Sequence, residues 1–130
     1  MGNYFDDEKN ARDYIEMAKG YDGRELIEVL KGYLPGGATV LELGMGPGKD
    51  LEILGKSFTA TGSDISDVFI DLCREQNHQA DIIKVDAKTM DTDRKFNCIY
   101  SNKVLQHLTK YELKHSFLRQ FETLTEDGLL

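Results

Sequence analysis

Several things are scarce in or missing from this 130-residue sequence, and each shortage removes a class of protein. No apolar run approaches the length needed to span a bilayer, and no positively charged start leads into a signal-type core. The opening MGNYFD carries Gly2, but Asp6 stands where a myristoylation signal needs Ser or Thr. No membrane partner is therefore expected. Cysteine occurs twice, as Cys73 and Cys98, each inside an apolar segment, whereas a secreted disulfide scaffold carries more. The pair is expected to be buried and reduced, in a cytoplasmic protein. Basic charge is short as well. The 16 Lys and Arg are outnumbered by 23 Asp and Glu, which leaves a net charge of −7, and the cations are scattered. A nucleic-acid backbone would be repelled, so no nucleic-acid partner is expected. No His, Cys and carboxylate set has metal-ligand spacing, and no metal is expected.

What is present suits one folded domain. Hydrophobic residues make up 40% and charged residues 30%, and the length allows one compact domain rather than two. No repeat, low-complexity tract or linker interrupts the chain. Ala11, Tyr14, Ile15 and Ala18 fall on one helical stripe. A second helix starts at DGRELIEVLKGYL, with Asp22 as cap, Glu25 answering it, and Leu26, Ile27, Leu30, Tyr33 and Leu34 as its apolar face. Pro35 to Gly37 end it.

From there strands and helices alternate. ATVLEL, FTATGSD, DIIKVD and FNCIYSN read as four strands. Between them lie a short helix through Leu51 and Leu54 and a longer one at SDVFIDLCREQN, capped by Ser66. A last helix opens with a Thr109 and Glu112 capping box and shows Leu113, Phe117, Phe121 and Leu124 along one face. Such alternation predicts an α/β domain whose parallel sheet is covered on both faces. The closing TEDGLL reads as a helix exit, a turn at Asp127-Gly128 and two residues of a fifth strand. The fourth strand is then expected to be an open edge, covered by missing chain or by a second subunit in a homodimer.

The first strand runs into a loop, ELGMGPGKDL, with Gly44, Gly46 and Gly48 at alternate positions. Glycines here let the backbone turn sharply and approach a ligand, and the following helix offers free N–H groups. A phosphate loop is excluded because no Gly-Lys-Ser/Thr follows Gly44, and a dinucleotide fingerprint fails because Lys49 holds the place of its third glycine. Three acids sharpen the reading. Glu42, Asp64 and Asp86 are placed at or near the carboxyl ends of the first three strands, where an open parallel sheet binds its ligand. Asp64 suits a ribose diol and Asp86 an adenine amino group. Glu42 would repel a pyrophosphate and attract a cation. A tight turn without a ligand, a helix-capping Asp64 and a turn acid at Asp86 are the plain alternatives.

In its motifs VLELGMGPGKDL, GSDIS, VDA and FNCIYSNKVLQHL, the sequence resembles the class I S-adenosylmethionine-dependent methyltransferases from Val40 to about Leu130. The resemblance implies a Rossmann-like three-layer α/β/α fold, with an N-terminal helical cap over residues 1–37 and a cofactor-binding core over 38–130 that lacks the C-terminal strands of the seven-stranded family sheet. It implies that Gly44, Met45, Gly46 and Gly48 surround the methionine moiety of S-adenosyl-L-methionine, with Glu42 close by. Asp64 would hold the ribose and Ile65 pack on the adenine. Asp86 and Ala87 would meet the adenine edge, Ser101 and Asn102 would close the site below the sulfonium, and Tyr21 would contact the cofactor's carboxylate. His107 is the candidate general base, against a plain packing role, and His78 and His115 read as surface residues. The implied activity is methyl transfer to a small-molecule O, N or C nucleophile. The rival readings are a truncated cofactor-binding module without turnover, dimerising through its open sheet edge, and a nicotinamide-dependent oxidoreductase.

Overall fold

The computed structural model describes residues 23–77, 79–102 and 104–129. The first expected helix, together with Tyr21, Asp22 and His78, lies outside the described residues. Helix α1 (Arg24–Leu30) is followed by β1 (Thr39–Leu43), α2 (Lys49–Leu54), β2 (Thr59–Asp64), α3 (Asp67–Gln76), β3 (Asp81–Lys84), β4 (Phe96–Ser101), a 3₁₀ turn (Leu105–His107), α4 (Lys110–Thr123) and β5 (Leu124–Leu129).

The strands form one sheet in the order β3-β2-β1-β4-β5, and every neighbouring pair is parallel. β1 is a nearly continuous apolar run because both of its sides are packed, one against α1 and α2 and the other against the β3–β4 connection. Val40, Leu54, Phe58, Cys98 and Tyr100 pack with Ile27 and Leu34 on the α1 and α2 side. Leu41, Leu43, Val85, Met90, Phe96 and Ile99 pack on the other. A third cluster, Met45, Leu51, Ile70, Cys73 and Ile82, seats α3. The strand order turns back on itself at β1 and β4, and an open α/β sheet forms its ligand crevice at that switch point. Glu42 lies there, in register with Gly62 of β2 and Tyr100 of β4.

Two helix starts follow the local rules read from the sequence. Ser66 Oγ accepts from the Phe69 N–H at 3.3 Å, and Thr109 and Glu112 close a full capping box. The start of α1 differs: its cap is Gly23, which makes no side-chain bond.

Three expectations are corrected. On α1, Ile27 and Leu34 are buried, but Leu26 is 48% and Tyr33 74% exposed. On α4 the inward face is polar: Ser116, Gln120 and Thr123 are buried, while Phe117 and Phe121 are exposed. The reason is what α4 sits on. Ser116 Oγ donates to the carbonyl of Ala87, and Arg119 donates to that of Met90 at 3.3 Å, so the helix supplies donors to the β3–β4 connection. Lastly, β5 spans six residues, entered directly from α4, with Leu124 as its first residue instead of the helix's last. β4 is therefore not the sheet edge. β5 pairs with it from Phe96 to Cys98 through an irregular register. Among the described residues no helix is long and apolar enough to cross a membrane.

Candidate functional site

The loop from β1 to α2 turns on three left-handed glycines, Gly44 (φ 63°), Gly46 (φ 53°) and Gly48 (φ 88°). A side chain at Gly44 would meet Val104 Cγ2 at 2.5 Å, so the turn after β4 closes directly onto this loop. The Met45 N–H donates to the carbonyl of Ser63 at 2.9 Å, and the Met45 side chain is buried in the α3 cluster. Its N–H and its side chain are thus both engaged inside the protein.

Asp64, the last residue of β2, is buried and ties the loop to the next helix. Its Oδ2 accepts from the Gly46 N–H at 3.0 Å and its Oδ1 from the Ser66 N–H at 2.9 Å. Glu42 lies deeper, at 3% exposed, and its Oε1 has no hydrogen-bond partner among the described residues. Burial, reinforced by the negative charges of Asp50 and Asp64, holds the Glu42 carboxyl well above its ordinary value of 4.5.

Asp50 completes a group of three buried acids. Its Oδ1 accepts from the Gly23 N–H at 2.7 Å, and its Oδ2 accepts from the Tyr100 hydroxyl at 2.8 Å and from Asn102 Nδ2 at 3.3 Å. One carboxylate thus fastens the start of α1 and the end of β4 to the helix that follows the glycine loop. Burial first, then the Asp50 carboxylate, pushes the Tyr100 phenol far above its usual value. Sequence patterning passes over both residues, since Asp50 reads as a first-turn helix acid and Tyr100 as core.

The remaining expected residues divide. Ser101, opposite Leu43 in register, and Asn102 lie at the carboxyl end of β4 beside the acids. Ile65 is half-buried directly after Asp64. Asp86 stands two residues beyond the end of β3 and acts as a turn acid: its Oδ1 accepts from the Lys88 N–H at 2.8 Å, and its own N–H donates to Asp91 at 3.0 Å. Ala87 lies in the same turn, held by Ser116. His107 is exposed on the 3₁₀ turn after β4. Beside the site, an apolar groove of about 450 Å³ runs between α1 and α4, bounded by Leu26, Val29, Tyr100, Ser101 and Phe117.

Comparison with known proteins bears on this arrangement. A family model described as a methyltransferase domain matches residues 40–128. The fold is similar to that of a TehB-like SAM-dependent methyltransferase from Corynebacterium glutamicum, with a TM-score of 0.80 at 21% identity over 94% of this chain and 71% of that one. It is similar to SAM-bound CalS10, an amino pentose methyltransferase from Micromonospora echinaspora, with a TM-score of 0.77 at 17% identity over 91% of this chain and 53% of that one. The sugar N-methyltransferase KedS8 from Streptoalloteichus gives a TM-score of 0.79 at 19% identity, over 91% of this chain and 51% of that one. The chain thus spans about half the length of the last two. No curated protein matches the sequence.

Proposed function

This chain belongs to the methyltransferase domain family, and we propose from that membership that it binds S-adenosyl-L-methionine and serves methyl transfer to a small-molecule nucleophile. The observation that carries the reading is the buried Glu42 Oε1, unpartnered among the described residues, beside a left-handed glycine loop. A glycine loop with little side chain, next to a buried carboxylate oxygen with no donor among the described residues, fits a ligand that combines a nucleoside with a positive centre, and it fits a pyrophosphate poorly.

When bound, the cofactor supplies an electrophilic methyl group on a sulfonium. This chain's residues have other tasks. Gly44, Gly46 and Gly48 offer backbone to the methionine moiety, Asp64 and Ile65 receive the ribose and adenine, and Ala87 and Asp86 border the adenine edge. Ser101 and Asn102 close the floor of the site, and Tyr21 is a candidate contact for the cofactor's carboxylate. In-line displacement depends mainly on positioning and electrostatics, so a base is needed only where the acceptor must lose a proton. His107, exposed after β4, is the candidate for that task.

A small-molecule acceptor is supported by the net charge of −7, which disfavours nucleic acid, and by the amino pentose and sugar substrates named for two similar structures. Isothermal titration of the purified chain with S-adenosyl-L-methionine tests the reading. Saturable binding supports it, and its absence in a folded sample overturns it. Radiolabelled methyl transfer to amino sugars then separates an enzyme from a module that only binds.

A further inference from the structure

We propose that Glu42 is a proton-exchanging receptor for a cationic group of the ligand: it carries a proton in the free protein and releases it to solvent when a ligand's ammonium or sulfonium enters beside it. The inference rests on the proposed cofactor reading and adds a linkage that methyl transfer itself does not require.

The geometry leads to it directly. Glu42 sits inside the sheet at the switch point, 3% exposed, with Gly62 on one side and Tyr100 on the other. Its Oε1 finds no donor among the described residues. Among the described residues, the titratable groups that act on it or feel it are Asp50 from α2, Asp64 from β2, Cys73 from α3 and Tyr100 from β4, and none of these is a cation. Donors described nearby are directed to other acids: the Tyr100 hydroxyl and Asn102 donate to Asp50, and the Gly46 N–H donates to Asp64.

An ionised carboxylate in such a place is opposed by desolvation and by two neighbouring negative charges, so the neutral acid is the stable form. A cation arriving within a few ångströms reverses the balance. The acid's O–H bond breaks, its electron pair stays on Glu42, the proton goes to water, and the ligand keeps its own charge. With one proton released per ligand, affinity strengthens by about tenfold per pH unit between the free and bound values of the Glu42 carboxyl.

Isothermal titration with S-adenosyl-L-methionine in two buffers of different ionisation enthalpy counts that proton. The expected result is about one proton released by the wild-type chain, and none by Glu42→Gln, whose affinity is flat with pH. S-adenosylhomocysteine, which keeps the ammonium but lacks the sulfonium, provides the second arm. Release that persists with it assigns the proton to the ammonium, and release seen only with the methylated ligand assigns it to the sulfonium. Binding by the wild type without proton release overturns the inference and leaves the functional reading standing, whereas failure to bind either nucleoside overturns both. An infrared pH titration of the free wild-type chain needs neither ligand nor variant. A protonated carboxyl band at neutral pH that Glu42→Gln lacks supports the proposal, and a spectrum without that band at neutral pH overturns it even if the cofactor binds.

Discussion

The hydroxyl of Tyr100 donates to Oδ2 of Asp50 at 2.8 Å, joining residues 50 positions apart into one buried knot. Tyr100 fills the core beneath α1, while Asp50 also holds the Gly23 N–H at the start of that helix. A hydrogen bond to a charged group contributes about 1.5–3 kcal/mol, and among the described residues Asp50 would retain Gly23 and Asn102 as donors. Tyr100→Phe should therefore lower stability by about that amount in urea denaturation at neutral pH. An unchanged midpoint would contradict the knot.

Glu42 gives a second prediction, in which sign matters. Its folded carboxyl lies well above 4.5, the value expected of the unfolded chain, so the folded state holds the proton more tightly. The stability it contributes is fully present below about 4.5 and is lost as pH rises through the folded value. Glu42→Gln removes this dependence. The variant should be the more stable at neutral pH, and its advantage over wild type should grow from about pH 4.5 upward before levelling. Parallel urea melts from pH 4 to 8 measure it, and a constant difference would refute it.

Legibility from sequence divided along a physical line. Local signals were readable: the Ser66 cap, the Thr109 and Glu112 box and the glycine turn each depend on residues only a few positions apart. The parallel sheet was readable too, because a strand covered on both sides is apolar at most positions, as β1 is apart from Thr39 and Glu42. What α4 buries was not. Helical periodicity favoured Phe117 and Phe121, but the surface beneath the helix presents the Ala87 and Met90 carbonyls, which call for Ser116 and Arg119. Asp86 looked like Asp64 in sequence, both being acids near strand ends. Only folding distinguishes them, because Asp86 turns back on Lys88 while Asp64 reaches the glycine loop. The Asp50–Tyr100 bond has no local signature at all.

The glycine loop can be tested against a second left-handed glycine. Gly44 has φ 63°, and a methyl group placed there would stand 2.5 Å from Val104 Cγ2, while Gly37 has φ 82° and open space around it. Alanine at either place meets left-handed strain of about 1–2 kcal/mol. Only Gly44→Ala also displaces the turn after β4. Gly37→Ala should lower stability modestly and leave cofactor affinity unchanged, whereas Gly44→Ala should weaken S-adenosyl-L-methionine binding by tenfold or more. Equal affinities for the two variants would remove the loop from the binding site.

Gly48 and Cys73 form a contact whose coupling is measurable. A methyl group at Gly48 would stand 2.5 Å from Cys73 Sγ, a buried thiol that burial pushes up to about 11 and that therefore stays protonated. Gly48→Ala meets both left-handed strain at φ 88° and this collision. Cys73→Ala leaves a small cavity under the loop. Together they should be less damaging than the sum of the two changes, because the new methyl moves into the space the sulfur leaves. The coupling should fall at about 0.5–3 kcal/mol, the range for residues in direct contact. Strain at Gly48 survives in the double variant, so it should remain less stable than Cys73→Ala alone. A double-mutant cycle by urea denaturation measures both terms, and strict additivity would show that α3 does not brace the glycine loop through this thiol.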